Sequence, residues 1–392
     1  MTRKQIISSI GFVLASCVVL YLLCDLFELK NTTNFAKRFA TYRDLKEDTV
    51  DVVMVGTSGI DRYWINAKAY EEYGITSYPL STGNQPAWLC EYLIKEAYAY
   101  QDPELLVIDM RGFLQDNVSD VEMDVNARRV LDVMGPLSVQ RVQAGLKTMD
   151  VLHDTFEDKP AFNIEYLLSF VKFHEDWSNR SYSVEKNLFD RQHPYLGFYV
   201  NKDNSIRKRP REKVVYDSNH YEALDPLAEQ AFYDVVECLK DKDSKVLFMI
   251  SPKFLTPLEM GRLNTLIDLV EKEGMDYVNF CETDENGDFL YDFGFDLQSD
   301  FYDIGHTNYY GAEKFSSVFG AYLNENYDLP DRRNDADVKE RWDGVYDEIK
   351  NRIPELEEAA LKKKLEAEAA GEEVVEDEVE DNGDDEDEGE DD

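Results

Sequence analysis

A serine directly after an apolar strand segment is the first residue whose position suggests chemistry. Residues 50–55 form an apolar run with one acidic member, and the chain continues as Gly56-Thr57-Ser58-Gly59. A glycine permits a sharp turn, and Ser58 then lies where a helix begins, beside free backbone N–H groups and the positive end of the helix dipole. Such donors stabilise the oxyanion that forms when a hydroxyl attacks an acyl group. The pattern indicates a serine nucleophile at a strand-to-helix turn.

Two other interpretations of this turn stay open from the residues alone. Ser58 can be the N-cap of the helix, with Asp61 at the third helical position completing a motif close to a capping box. A phosphate-binding turn would look similar, but it favours a further glycine or a lysine in the loop, and only Gly59 is present.

A serine nucleophile needs a base, and His306 is the histidine best placed to provide one. It lies between the last strand and the last helix of the alternating region, so it can reach the same sheet edge as Ser58. Asp303 precedes it by three residues and can hold one ring nitrogen while the other faces Ser58. A local turn explains the spacing equally well. A metal site lacks a third ligand with matching spacing. Four other histidines lie in helical or turn-rich segments, namely His153, His174, His193 and His220.

Short β-branched runs alternate with helical stretches from residue 49 onward, which predicts an α/β three-layer sandwich with a central parallel sheet. The predicted strands are 50–55, 76–80, 105–109, 245–251 and 277–280. The predicted helices are 61–73, 86–100, 257–273 and 311–327. Between 113 and 243 this alternation fails, and we expect a helical insertion there, with helices at 121–149 and 160–174, that covers the site. The aromatic residues of the insertion are suited either to sugar stacking or to a core of its own; they include Trp177, Tyr195, Phe198 and Tyr199.

The termini differ from this α/β region of 48–330 in composition. Residues 331–364 contain an amphipathic pattern over 335–353, which predicts helices packed on the body. Residues 365–392 are predicted to form a disordered acidic tail, because 17 Asp or Glu and no Lys or Arg occur from 366 onward. The formal net charge is −39, and about −22 remains without that tail. A body this acidic excludes nucleic acid as an expected partner.

Residues 1–30 are predicted to contain a transmembrane anchor. Residues 6–24 are 19 residues without a charge, which is about the length of one hydrocarbon core. The alternative is a lipoprotein-type processing box at Cys17, although the apolar run continues past it. Arg3 and Lys4 favour a cytoplasmic N-terminus, but basic residues also follow the span, so counting them does not fix the orientation. Five sparsely spaced cysteines predict neither a disulfide framework nor a zinc site, and no metal or cofactor is expected.

Three short motifs, in this order and spacing, resemble the SGNH/GDSL hydrolase superfamily. They are Gly56-Thr57-Ser58 after the first strand, Ser81-Thr82-Gly83-Asn84 after the second, and Asp303 with His306 near the end. Asn308 and Gly311 extend the last motif as in the membrane-anchored cell-surface branch, which includes the teichoic acid D-alanyl-transfer protein and the alginate O-acetyltransferases. The resemblance covers about 51–327 and implies a flavodoxin-like sheet topology.

The resemblance also implies roles for particular residues. Ser58 would be the nucleophile, His306 the general base and acid, and Asp303 the carboxylate that orients it, while the N–H groups of Ser58 and Gly83 would form the oxyanion hole. The family's third block, which supplies an asparagine donor, reads Asp-Met-Arg-Gly-Phe here at 109–113. Loss of one donor typically costs about 3 kcal/mol of transition-state stabilisation, and Asn84 or Arg111 could replace it.

These roles predict a membrane-anchored esterase or O-acyltransferase that forms an acyl-Ser58 intermediate. Its partners would be the membrane, an acylated cell-envelope glycan or polymer, and possibly a membrane acyltransferase. The expected location is the cell membrane, with a single span and the catalytic domain on the extracytoplasmic side. The alternative is a catalytically silent cell-envelope binding or assembly protein with the same fold, which the altered third block favours.

Overall fold

A five-stranded parallel sheet forms the centre of the protein. The computed structural model describes residues 2–26, 34–168, 171, 192–201 and 204–370. The strands are β1 Val52–Gly56, β2 Ser77–Ser81, β3 Leu105–Asp109, β4 Lys245–Ile250 and β5 Asp276–Asn279. Their spatial order is β2-β1-β3-β4-β5, and every pair is parallel. This is the doubly wound order of flavodoxin-like sheets, so the predicted fold class is confirmed.

Successive residues of the strands pack into two separate apolar cores, one on each side of the sheet. Val53 and Val55 of β1 belong to one core, whereas Val52 and Met54 belong to the other. All five residues of β1, β2 and β3 are buried. Strands that are covered on both faces need apolar side chains at consecutive positions rather than at alternate ones, which is why these strands are continuous apolar runs in the sequence.

Helices cover both faces and complete three layers. On one face Phe232 packs against Phe248 of β4, with ring centroids 5.8 Å apart. On the other face Trp64 packs edge-on against Phe319 at 5.0 Å. The α-helices are α1 Arg3–Leu26, α2 Asn34–Asp44, α3 Ser58–Asp61, α4 Asn66–Tyr73, α5 Cys90–Ala97, α6 Asp120–Val133, α7 Val139–Thr155, α8 Pro226–Leu239, α9 Pro257–Lys272, α10 Tyr309–Asn326, α11 Ala336–Trp342 and α12 Val345–Ala370. Short 3-10 helices span Ala87–Leu89, Met110–Leu114, Ile164–Tyr166 and Arg332–Asn334.

Several predicted helices are divided in the structure, each at a local signal. The predicted helix 61–73 becomes α3 and α4, because the N–H of Ile65 donates to the Ser316 hydroxyl at 2.8 Å instead of continuing the helix. The predicted helix 121–149 divides into α6 and α7 around Gly135, which is followed by proline. The predicted helix 335–353 divides at Gly344, whose φ of 83° requires the left-handed region that glycine tolerates. The predicted helix 86–100 begins as a 3-10 helix before α5.

The segment 113–243 contains α6, α7 and α8. Helix α8 is the crossover between β3 and β4, and its residues Ala228, Phe232 and Val235 are part of the sheet's own apolar core. Phe198 and Tyr199 are buried, which favours packing over an exposed sugar platform for these two aromatics. Trp177, His174 and the acidic tail beyond 370 lie outside the described residues. The predicted helix 160–174 is wrong over 160–168, where the structure contains only the short 3-10 helix Ile164–Tyr166.

Helix α1 is long and apolar enough to cross a membrane. Its stretch Arg3–Cys24 has 22 residues and a mean hydropathy of 2.5, and its apolar window is not buried against the rest of the described chain. A core helix would be buried, whereas a membrane span or a signal sequence would have these properties.

Candidate active site

Glycine and threonine shape the turn that presents Ser58. A Cβ on Gly56 would lie 2.2 Å from the Cβ of Asp109, so only glycine lets β1 end this close to β3. Thr57, not Ser58, is the N-cap of α3, and its hydroxyl accepts the N–H of Gly59 at 3.2 Å. The interpretation of Ser58 as the N-cap, with Asp61 completing a capping box, is therefore wrong. Because the Thr57 hydroxyl caps the helix, the Ser58 hydroxyl does not serve as the cap.

Asp109, at the end of β3, holds this turn in place. Its Oδ2 atom accepts the backbone N–H of Thr57 at 3.0 Å and also the Thr57 hydroxyl. Its Oδ1 atom accepts the N–H of Arg111 at 3.1 Å. From the sequence, Asp109 was considered only as part of the altered third motif at 109–113. Its role could have been suspected because it is an acidic residue at the carboxyl end of an apolar strand.

A hairpin-like loop carries Asp303 and His306. Phe301 and Thr307 form an antiparallel bridge at its base, and the N–H of Tyr302 donates to the carbonyl of His306 at 3.2 Å. The Thr307 hydroxyl donates to the carbonyl of Arg62 at 2.9 Å, which ties the loop to the residue after α3. The ring of Tyr302 stacks on that of His306, with centroids 5.4 Å apart and planes 10° apart.

Ser58, His306 and Asp303 are linked by two successive hydrogen bonds. The Ser58 Oγ atom lies 2.7 Å from His306 Nε2, and His306 Nδ1 lies 2.8 Å from Asp303 Oδ2. Ser58 is 7% exposed, and the side chains of His306 and Asp303 are 14% and 27% exposed. An ionised Asp303 can only accept, so Nδ1 carries the ring proton and Nε2 is free to accept the serine proton. This arrangement can remove a proton from a hydroxyl and return it to a leaving group.

Asp303 is held in its ionised form. Burial alone would raise its pKa, but His306, through its charge and its hydrogen bond, and the N–H groups of Gly305 and His306 outweigh burial and lower the pKa to about 2. The Gly305 N–H donates to Asp303 Oδ1 at 2.7 Å. The carboxylate therefore stays charged at any pH at which a neutral histidine can act as a base.

The predicted oxyanion donors Ser58 and Gly83 lie on adjoining turns at the same sheet edge. Ser58 is the first residue of α3, where a backbone N–H has no acceptor within its own helix. Gly83 and Asn84 form a turn after β2, and the N–H of Thr82 donates to the carbonyl of Gly56 at 3.2 Å. Asn84 has a φ of 47°, in the left-handed region that asparagine tolerates.

Arg111 is buried and bound to carbonyl oxygens. One terminal nitrogen donates to the carbonyl of Gly305 at 2.6 Å, and the other donates to the carbonyls of Ser251 and Pro252 at 3.3 and 3.2 Å. Its Nε atom has no partner among the described residues. The terminal nitrogens are therefore engaged by the loops around the site, which favours a positioning role over the predicted role as an oxyanion donor.

The other described histidines make separate contacts. His193 is buried, and burial together with Arg38 and Lys37 lowers its pKa well below the usual value. Its Nδ1 atom accepts the N–H groups of Tyr195 and Gly197, both at 3.2 Å, so it acts as a neutral packing residue. Exposed His153 lies against the carbonyl of Lys159, and His220 lies 3.5 Å from Glu222.

A buried ion pair, which could not be predicted from the sequence, joins the segments that lead to the turns at Ser58 and Gly83. Arg38 of α2 donates to Asp61 Oδ2 at 2.8 Å, with both side chains fully buried. The Ser81 hydroxyl donates to Asp61 Oδ1 at 2.7 Å, and Arg38 also binds the carbonyl of Ser81 at 3.0 Å. The pair thus joins α2, the end of α3 and the end of β2.

No group of three or more His, Cys, Asp or Glu that could hold a metal ion occurs within the described residues.

Comparisons with known proteins include a remote structural likeness. No protein-family model and no curated protein matches the sequence. A crystal structure of a protein from Bacteroides fragilis, named as a candidate acylhydrolase, aligns over 71% of this chain and 87% of its own. The identity is 11% and the TM-score is 0.30, values at which the likeness supports no conclusion about function.

Proposed function

We propose that the protein is a serine esterase or O-acyltransferase of the SGNH/GDSL type. The observation that carries this proposal is the sequence of short contacts from Ser58 through His306 to Asp303 at the carboxyl edge of the sheet. A strand-to-helix turn, a base on a separate loop and a carboxylate that fixes the base are the parts that acyl transfer through serine requires.

In the proposed first half-reaction, Ser58 Oγ attacks the ester carbonyl while its proton moves to His306 Nε2. The new C–O bond gives a tetrahedral oxyanion, which collapses as the alcohol leaves with the proton from His306. Acyl-Ser58 remains. In the second half-reaction, water or an acceptor hydroxyl gives its proton to His306 and attacks the acyl carbon. The second tetrahedral intermediate collapses as the bond between the acyl carbon and Ser58 Oγ breaks, the proton on His306 returns to Oγ, and the acid or the new ester is released.

The oxyanion is proposed to bind to backbone N–H groups. The N–H of Ser58 lies at the start of α3, and the turn at Gly83 and Asn84 adjoins it through the bond from Thr82 to Gly56. Asn84 is the better candidate for a third donor, because the terminal nitrogens of Arg111 are bound to carbonyls. An enzyme with two donors would be slower by about 10²–10³-fold than one with three.

The cellular setting is proposed from α1. As an uncleaved span it would hold the domain at the membrane, with the proposed site on the extracytoplasmic side and an acylated envelope glycan or polymer as substrate. A membrane acyltransferase that supplies the acyl group is a proposed partner. The nearly complete burial of Ser58 favours transfer, since limited access for water slows hydrolysis of an acyl-enzyme.

A catalytically silent binding or assembly protein is the second candidate. The contacts of Arg111 favour this silent protein. Because its terminal nitrogens bind carbonyls, no side chain of 109–113 replaces the asparagine that serves as third oxyanion donor in the SGNH/GDSL family. In that case the contacts of His306 would only stabilise the loop.

Intact-mass spectrometry separates the two candidates. The full chain in detergent is incubated with small acyl esters, quenched in acid and weighed. An enzyme shows an acyl adduct that maps to Ser58 and is absent from Ser58→Ala. Absence of any adduct and of any ester turnover in the folded wild type supports the silent protein. Half-buried Ser119, which caps α6, provides the matched control Ser119→Ala.

A further inference from the structure

The backbone N–H and carbonyl of Gly305 connect Asp303 of the proposed triad to buried Arg111. The Gly305 N–H donates to Asp303 Oδ1 at 2.7 Å, and Asp303 Oδ2 accepts from His306. The Gly305 carbonyl points the other way and accepts from Arg111 at 2.6 Å. A displacement of this residue would therefore move the carboxylate that aims His306 at Ser58.

Arg111 reaches Gly305 by passing close beneath the nucleophile helix. A Cβ on Gly59 would lie 2.5 Å from Cδ of Arg111, so glycine at this position makes room for the arginine. The guanidinium lies 5.1 Å from the centre of the Tyr63 ring. Its other nitrogen binds the carbonyls of Ser251 and Pro252, which follow β4. One side chain thus contacts the nucleophile helix, the end of β4 and the histidine loop.

The hydroxyl of Tyr63 also lies within hydrogen-bonding distance of this carbonyl. This buried hydroxyl lies 3.1 Å from the carbonyl oxygen of Gly305 and also contacts that of Pro252. The Ser251 hydroxyl donates to the carbonyl of Gly59 at 2.7 Å, which closes the connection back to α3. These bonds join parts of the chain that are up to 242 positions apart. Arg111 and Tyr63 share two acceptors, namely the carbonyl of Gly305 in the loop that carries Asp303 and His306, and the carbonyl of Pro252.

We propose that Arg111, assisted by Tyr63, is a positioning residue that fixes Gly305 and thereby the orientation of His306 towards Ser58. This inference rests on the proposed serine chemistry, and it assigns a use to the segment that departs from the family's third motif. Asp109 fixes the nucleophile turn, and Arg111 two residues later fixes the base loop, so one short segment sets the distance between the two.

The contacts of Arg111 explain why an arginine occupies a buried position. A guanidinium has five N–H groups in a planar fork, and here its ends reach three carbonyls from two loops. A lysine could replace one of these bonds but not the fork. Arg111 thus positions the loops around the site and does not place its charge against the reacting atoms.

The test measures the rate of Ser58 modification by a fluorophosphonate, which forms a Ser–O–P bond and releases fluoride as the serine proton passes to the base. The full chain in detergent is compared with Arg111→Met, Arg111→Lys and Tyr63→Phe. The control is Tyr42→Phe, which removes another buried hydroxyl that donates to a backbone carbonyl, that of Ala97 at 2.9 Å. Thermal unfolding of each variant reports the folded fraction.

A positioning role predicts a selective effect on the chemical step. Arg111→Met should lower the maximal modification rate about 10²-fold, the cost typical of a 1 Å misplacement, while the half-saturating concentration stays within about two-fold. Arg111→Lys should recover part of the rate, Tyr63→Phe should lower it by a smaller factor, and Tyr42→Phe should match the wild type.

Rates equal to the wild type in folded Arg111→Met and Tyr63→Phe would overturn the inference while leaving the serine chemistry intact. If Arg111→Met does not fold, Tyr63→Phe decides. No modification of the folded wild type would instead refute the proposed function, and this inference with it.

Discussion

His306 Nε2 lies 2.7 Å from Ser58 Oγ, although 248 positions separate the two residues. Ser58 is presented by the turn after β1, and His306 by the loop that precedes α10. Both segments lie at the carboxyl edge of the parallel sheet, where ligands bind in doubly wound folds. The relationship therefore depends on the topology as a whole rather than on either loop alone.

Asp303→Asn is expected to slow ester turnover by roughly 10³–10⁴-fold in a chain that still folds. The amide can keep a contact with His306, but it favours the wrong ring tautomer and cannot stabilise the charged ring. Steady-state hydrolysis of a small ester measures the effect. Exposed Asp292 provides the control Asp292→Asn, and a loss of less than about ten-fold in Asp303→Asn would contradict the role.

Asp303 should also contribute to stability in acid. Its pKa of about 2 lies below the usual value, so the contribution is complete above about pH 4 and is lost as the pH falls towards 2. Urea unfolding of the wild type and Asp303→Asn should show a difference that is about 2 kcal/mol larger at pH 6 than at pH 2. A pH-independent difference would show that the pKa is not depressed.

The buried pair of Arg38 and Asp61 should be the most sensitive ion pair beneath the proposed site. Arg38→Met leaves Asp61 charged and buried, so unfolding should become easier by about 3–5 kcal/mol. Chemical denaturation measures this cost, and Lys46→Ala, which breaks an exposed pair with Asp337, is the control. Equal unfolding midpoints for the two variants would contradict the structural importance of the buried pair.

Helix α1 is expected to hold the protein in the membrane. Removal of residues 1–26 should shift the chain from the membrane fraction to the soluble fraction without changing Ser58 modification, because the apolar window of α1 is not buried against the rest of the described chain. Cell fractionation and the mass of the mature chain provide the measurement. A mature chain that lacks α1 would show a cleaved signal sequence, and a C-terminal tag inaccessible from outside intact cells would contradict the proposed orientation.

The strands could be predicted because burial on both faces leaves a direct trace in the sequence. The run over 105–109 matches β3 exactly in extent, and the other strands deviate by no more than two residues at either end. Helix ends were predicted less well. The division at Gly344 depends on one residue, and the division before Asn66 depends on a hydrogen bond that the N–H of Ile65 donates to Ser316, far along the chain.

The candidate site could be predicted only in part, and for a similar reason. The residues whose chemistry is evident from their type, Ser58, Asp303 and His306, were identifiable because they flank the strands. The contacts of Arg111 were not, because they depend on a close approach to Gly59 and on the carbonyl of Gly305, 194 positions away. Long-range bonds to backbone atoms leave no pattern in the sequence.

The most direct test of the account is fluorophosphonate modification of the full chain, read by intact mass and peptide mapping. We expect one adduct, on Ser58, in the wild type, none in Ser58→Ala, and a rate at least about 10³-fold lower in His306→Ala, since the base would be missing. A folded wild type that takes no adduct, or one that is modified equally fast without His306, would contradict the claim that these two residues form a working nucleophile and base.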